Sequence, residues 1–151
     1  MAKAQKEIRI QNRKARFQYE FSDKFVAGIV LQGTEIKAIR EGKASIAESY
    51  CYMDKGELFV RQMNIQEYSH GNINNHEPLR VRKLLLSKRE LAKLEGKMKD
   101  VGNTVIPLLL FINEKGLAKL EIGLGRGKKL HDKRQSIKER EVKRDLDRRL
   151  R

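Results

Sequence analysis

Residues 123–151, GLGRGKKLHDKRQSIKEREVKRDLDRRLR, set the bounds on what this chain can fold into. From residue 126 on, twelve Lys/Arg stand against five Asp/Glu, a net charge of +7 and half of the +14 carried by all 151 residues. The apolar side chains in that stretch are Leu130, Ile137, Val142, Leu146 and Leu150, too sparse to close a core. Such a segment cannot offset its own chain entropy by burial. It needs a partner, and its charge makes the partner anionic. A folded body must therefore be built from the residues upstream.

The remaining charge is uneven. Residues 1–16 carry six basic and one acidic side chain, and residues 17–125 carry sixteen and fourteen. A nearly neutral body with two basic arms is a nucleic-acid footprint more than a membrane one. The arms hold no Trp to anchor an interfacial helix. No run approaches the ~20 apolar residues of a transmembrane helix, and MAKAQKEIRI lacks the apolar centre of a signal peptide. The single Cys51 forms no internal disulfide, and within YCYM it reads as a buried strand residue. A cytosolic location is expected.

Along the chain, residues 1–11 read as a mobile basic arm. Phe17, Tyr19 and Phe21 alternate with polar residues and predict a strand with one buried face. Ser22-Asp23-Lys24 reads as a turn, and residues 25–31 as a central strand in which Gly28 marks a bulge or close backbone approach. Residues 33–40 predict a short helix with Thr34 as its cap and Gly42 as its stop. Residues 44–53 and 57–65 form a hairpin around Asp54-Lys55-Gly56, and residues 70–78 a loop. A longer helix begins at Ser87, which makes a capping box with Glu90 and carries Leu91, Leu94 and Met98 as its apolar stripe. Residues 104–112 and 117–124 are strands joined by Asn113-Glu114-Lys115-Gly116. Pro107, lacking an N–H, belongs at an edge or bulge.

About six strands, one short helix and one longer helix predict a mainly β fold: an oligonucleotide-binding-like antiparallel β-barrel with a basic C-terminal tail. The expected domain bounds are an arm over 1–11, a barrel over 12–124 and a tail over 125–151. Gly125 and Gly127 read as hinge glycines freeing the tail. Beyond Asp132 the chain has no Gly or Pro, and Val142, Leu146 and Leu150 fall at i, i+4 spacing. The tail is thus expected to be disordered alone and helical on a partner.

Two basic clusters, Asn12-Arg13-Lys14-Ala15-Arg16 and Arg80-Val81-Arg82-Lys83, lie outside the tail. Each also fits an ordinary lead-in to the element that follows, but together they favour an RNA face. Lys37, Arg40 and Lys43 either extend it or form a solvated helix face. In the tail, Lys128, Lys129, Lys133 and Arg134 can neutralise phosphate, and His131 can stack on an unpaired base. No catalytic constellation, cofactor or metal site emerges. His70 and His76 lack the Cys or carboxylate spacing of a metal site, and a hydrated loop accounts for them. GLGRG has neither a complete dinucleotide fingerprint nor Walker-A spacing.

These motifs, in order, resemble the SmpB family of bacterial proteins that bind transfer-messenger RNA (tmRNA, or SsrA RNA). The marks are Asn12-Arg13-Lys14-Ala15-Arg16, AGIVLQGTEIK at 27–37, Gly42-Lys43-Ala44, Arg82-Lys83-Leu84-Leu85-Leu86 with Arg89-Glu90, and GKKLHDKR at 127–134. The resemblance implies a barrel that grips the tRNA-like domain of tmRNA near its elbow. It also implies a tail that enters the empty mRNA channel of a stalled ribosome, in an adaptor of trans-translation that is not an enzyme. By position, Asn12, Lys83 and Leu85 fall where the family contacts or supports the tmRNA face. Lys128, Lys129, His131, Asp132, Lys133 and Arg134 fall where its tail meets the decoding centre in small-subunit RNA. Val26 stands where several members carry an acidic residue, and Val142 where some carry an aromatic. The expected state is a monomer. The competing reading of the same residues is a structural ribosomal protein of barrel type with a basic extension.

Overall fold

A computed structural model describes residues 8–71 and 74–127. The expectations for the tail, including Lys128 through Arg134, and for the first seven residues lie outside the described residues. Among the described residues, nine strands and three helices run in the order β1 (Arg9–Gln11), α1 (Arg13–Gln18), β2 (Tyr19–Ile29), α2 (Gly33–Arg40), β3 (Ala44–Ser45), β4 (Tyr50–Asp54), β5 (Glu57–Arg61), β6 (Asn64–Ile65), β7 (Arg82–Leu85), α3 (Lys88–Met98), β8 (Asn103–Ile112) and β9 (Ala118–Gly127).

Six strands pair in a ring, β8-β4-β5-β7-β2-β9, and β9 returns to β8; β1 adds to β8 beyond β4. All these pairings are antiparallel. The ring is filled from the inward-facing positions: Ala27, Leu58, Val60, Leu84, Val105, Leu110, Leu120, Ile122 and Leu124 are buried, with Ala38 and Ile39 of α2 and Leu94 of α3 joining the same core. Period-two alternation makes one barrel face apolar and leaves the other for solvent or ligand.

Several elements are what their residues dictate. Ser87 Oγ accepts from the Glu90 N–H at 3.2 Å, and Glu90 Oε1 accepts from the Ser87 N–H at 3.2 Å, closing the capping box of α3. Lys55 and Gly56 both take positive φ, 50° and 79°, the requirement of a two-residue hairpin turn whose twist matches its strands. Pro107 sits at a register shift between β8 and β9, so its missing N–H interrupts no regular ladder.

Other elements correct the expectation. Asn12 caps a six-residue helix, α1, so Phe17 is on a helix and 82% exposed instead of lining a strand. Residues 22–24 are not a turn. β2 runs through them by bulging between Phe21 and Asp23, and Asp23 is paired with Lys97 of α3. The register is continuous at Gly28, so the bulge lies at Ser22. The cap of α2 is Gln32 with Glu35, not Thr34. β1 and the end of β9 carry the sheet outside the bounds 12–124. Gly123 and Gly125 are strand residues under the Phe21 ring: a Cβ at Gly125 would fall 2.7 Å from Phe21 Cδ1. Close approach, not hinge freedom, is what Gly125 supplies.

Candidate nucleic-acid interface

Strand alternation divides the Arg80–Lys83 cluster. On β7, Arg82 and Leu84 point inward, while Lys83 and Leu85 point out. Arg82 is fully buried, with its Nε donating to Glu35, Nη1 to the Met63 carbonyl at 2.7 Å and Nη2 to the Pro78 carbonyl at 3.1 Å. Arg80 Nη2 donates to Glu35 Oε1 at 2.5 Å and to the Val30 carbonyl at 3.2 Å. Burial alone would raise the Glu35 pKa. The Arg80 hydrogen bond, the Gln32 N–H and the charge of Arg82 outweigh it and hold the carboxyl below its ordinary range. A buried carboxylate between two guanidiniums is a strut. Arg82 is therefore corrected from surface RNA contact to internal support, and Arg80 is largely committed to the same carboxylate.

Asn12 is corrected in the same way. It is 1% exposed. Its Oδ1 accepts from the Ala15 N–H at 3.1 Å, and its Nδ2 donates to the carbonyls of Ile46 at 3.1 Å and Pro107 at 2.9 Å. With its polar atoms engaged, Asn12 fixes α1 on the barrel wall, where Ala15 packs on Ile106 and Leu108. Arg13, Lys14 and Arg16 are exposed on this helix, and Lys14 pairs with Glu48 at 2.9 Å. β9 ends beside this helix: Tyr19 is the register partner of Gly127, and Glu20 of Arg126. Arg126 Nε donates to Asn103 Oδ1 at 2.8 Å.

Lys37, Arg40 and Lys43 lie elsewhere. They belong to α2 and its exit, beyond the other end of β2. Eleven residues of β2 separate the two ends by roughly 35 Å at ~3.3 Å per residue. Lys37 Nζ stands 5.6 Å from the Tyr68 ring centroid, and Lys43 pairs with Glu41 at 3.4 Å. The predicted basic residues thus fall at the two ends of β2, not on one face.

Toward the α2 end of β2 lies the outer wall over β7, β2 and β9. Leu85 is 51% exposed opposite Gly28, and Gly28 is opposite Lys119. Lys83 is half-exposed, with Glu57 at 3.3 Å. Val26 and Val30 are exposed there, and the register partner of Val26 is Glu121. Exposed aliphatic side chains between cations form a shallow wall that a sugar–phosphate backbone can lie on.

Among the described residues, no three His, Cys, Asp or Glu side chains gather as a metal site. His76 is buried, within 2.9 Å of Thr34 Oγ1 and 2.8 Å of the Ile65 carbonyl, which ties the loop to α2 and replaces the hydrated-loop reading. Burial pushes the Cys51 thiol far up, so no thiolate forms there. Two important residues escaped the sequence reading. Glu35 was hidden inside a helix motif, although the Gln32–Glu35 spacing is a capping signature. The spacing of Phe17, Tyr19 and Phe21 predicts a strand because a six-residue helix is too short to show a period.

The chain and its fold are similar to those of known proteins. The profile of the SmpB protein family matches residues 9–151. An SsrA-binding protein of Christiangramia forsetii is 62% identical over 141 residues, 93% of this chain and 90% of its own length. One from Phocaeicola vulgatus is 57% identical over 93% of this chain and 94% of its own length. A solved structure reported as "tmRNA-SmpB: a journey to the center of the bacterial ribosome" contains a chain that superimposes with a TM-score of 0.69 at 43% identity. The match covers 82% of this chain and 86% of that one. Among the described residues, no helix is long and apolar enough to cross a membrane.

Proposed function

The chain belongs to the SmpB protein family, and we propose that it is a tmRNA-binding adaptor of trans-translation that brings tmRNA to stalled ribosomes. The barrel wall around Lys83, Leu85, Gly28 and Lys119 takes the tRNA-like domain. The tail, with Lys128, Lys129, His131, Asp132, Lys133 and Arg134, meets the decoding centre in small-subunit RNA. The observation that carries this reading is the separation of the two: an exposed wall of cations and aliphatics on the barrel, and a +7 stretch that begins at Arg126, where β9 is ending. One chain can then hold one RNA on its wall while its end reaches another. Asn12, Arg82 and Glu35 support that architecture from inside. The protein acts in the cytoplasm, as a monomer, and turns over no substrate.

The test is the RNA that accompanies the purified protein. Sequencing should return tmRNA as the dominant species in ribosome-free fractions. Stoichiometric recovery with ribosomes, and no tmRNA away from them, would instead identify a structural ribosomal protein. Cleaved or modified RNA accumulating with time would revive an enzyme.

A further inference from the structure

Phe17 is 82% exposed, an unusual position for a phenylalanine on a small folded body. Tyr52 and Phe59 are also on the surface, but they stack on each other with centroids 5.7 Å apart, and Arg61 lies 5.4 Å from the Tyr52 ring. Phe17 has no such ring or cation contact among the described residues. Val101 is still more exposed, but it is aliphatic and lies in the turn after α3.

The surroundings of Phe17 are specific. Arg13, Lys14 and Arg16 are exposed on the same two-turn helix. The acidic groups near this end include Glu48, which pairs with Lys14, and Glu20, the register partner of Arg126. Two clefts flank α1. One, of about 240 Å³, is lined by Gln18, Glu48, Ser49, Tyr50 and Thr104 among others. The second, of about 340 Å³, is lined by Arg16, Tyr19, Phe21, Lys24 and others. Asn12 anchors the helix through three buried hydrogen bonds, so the ring is presented from a rigid mount. Gly127, where β9 ends, is the register partner of Tyr19, two residues on from Phe17.

We propose that Phe17 is a stacking residue for an unpaired base of the ribosomal RNA that the tail meets, with Arg13 and Arg16 holding the adjoining phosphates. An aromatic face takes any base, and flanking guanidiniums neutralise the backbone on either side. The assignment of this base to ribosomal RNA, and not to tmRNA, follows from position. Phe17 shares an end with the tail root, where Tyr19 pairs with Gly127, while the Leu85–Gly28 wall lies at the other end of β2. The inference rests on the adaptor reading above.

The experiment compares Phe17→Ala, Phe17→Leu and Phe17→Tyr in the full chain. Each is measured for thermal stability, for affinity toward the isolated tRNA-like domain, and for single-turnover peptidyl transfer to alanyl-tmRNA on ribosomes with an empty A site. The exposed position should leave all three variants folded. Phe17→Ala and Phe17→Leu should retain tmRNA affinity and lose roughly tenfold in peptidyl transfer, and Phe17→Tyr should restore it. Equal activity of Leu and Phe would show an apolar contact in place of stacking and overturn the proposal. So would full activity of Phe17→Ala. Loss of tmRNA affinity in Phe17→Ala would move the base to tmRNA and overturn the assignment to ribosomal RNA. If the unaltered chain fails to bind tmRNA, the adaptor reading itself falls, an outcome distinct from any of these.

Discussion

Arg82 and Glu35 form an ion pair in which both side chains are completely buried. The pair joins β7 to the first turn of α2. Arg82 also holds the Met63 and Pro78 carbonyls, so three separate segments meet at one guanidinium. Leaving either charge unpartnered is expensive: removing one member of a buried pair typically costs about 3–5 kcal/mol. Glu35→Ala should therefore destabilise the barrel by about that amount in urea denaturation. A loss below ~1 kcal/mol would mean that water reaches Arg82 in the variant.

The same carboxylate sets a pH dependence. Its folded pKa lies below its ordinary value of 4.5, so the folded state binds the proton less well than the unfolded chain does. The stability this group contributes is fully present above 4.5 and is lost as pH falls through the lower folded value. Denaturation midpoints of the unaltered chain should drop across that acidic window. Glu35→Gln, already weakened, should show a shallower drop over the same range; parallel profiles would remove Glu35 as the cause.

Asn12→Ala should lose the cap of α1 and leave the Ile46 and Pro107 carbonyls without their donor. A lost cap costs about 1 kcal/mol, and each buried orphan about 1–3 kcal/mol, so ~2 kcal/mol or more is expected. Because Asn12 touches no solvent, its effect on RNA binding should track stability. The slope of log affinity against log salt should not change, whereas Lys83→Ala should lower that slope by about one. A reduced slope in Asn12→Ala at a temperature where it is folded would return Asn12 to the RNA.

Gly123 and Gly125 lie beneath the Phe21 ring, which a Cβ at Gly123 would approach to 2.7 Å and Leu108 Cδ1 to 2.9 Å. Gly123→Ala should cost about 1–3 kcal/mol through overpacking. Phe21→Leu should recover part of that loss in a double-mutant cycle. Gly125→Ala should be harder to rescue, since its Cβ also meets the Glu20 backbone oxygen at 3.2 Å, which no rotamer moves. Additive effects of Gly123→Ala and Phe21→Leu would show that the ring does not need the glycine.

What the sequence made legible, and what it did not, follows the range of each signal. Ser87 with Glu90, Lys55 with Gly56, and Pro107 announce themselves within a few residues, and the structure places each as its local chemistry requires. Phe17, Tyr19 and Phe21 suggested a strand because two-residue spacing crosses unnoticed from a short helix into β2. Ser22-Asp23-Lys24 suggested a turn because a polar triplet looks the same whether it reverses the chain or bulges a strand held by Lys97. The interior role of Arg82 was invisible for a different reason. Its partner Glu35 is 47 residues away, and a basic cluster read linearly ignores that alternate strand residues face opposite sides. Lys83 and Leu85 face outward for the same reason that Arg82 faces inward: the strand turns alternate side chains to opposite sides.

The last expectation concerns the tail, where order can be separated from charge. If His131, Lys133 and Arg134 make defined contacts, the sequence Lys128-Lys129-Leu130-His131-Asp132-Lys133-Arg134 matters beyond its composition. A stacked imidazole is worth ~1–3 kcal/mol, roughly five- to 150-fold in rate if the contact forms only on the ribosome. A chain ending after Gly127 should keep most of its affinity for the tRNA-like domain, with a smaller salt slope, because the barrel wall is intact. Lys133→Ala with Arg134→Ala should do the same and yet sharply reduce single-turnover peptidyl transfer to alanyl-tmRNA. The discriminating variant is a scramble of residues 128–134 with identical composition. Generic positive charge predicts full transfer from the scramble. Defined contacts predict that it behaves like the double alanine variant, with tmRNA affinity unchanged in both. Full transfer by the scramble would require withdrawing the assignment of His131, Lys133 and Arg134 to the decoding centre and leave the tail as an electrostatic tether.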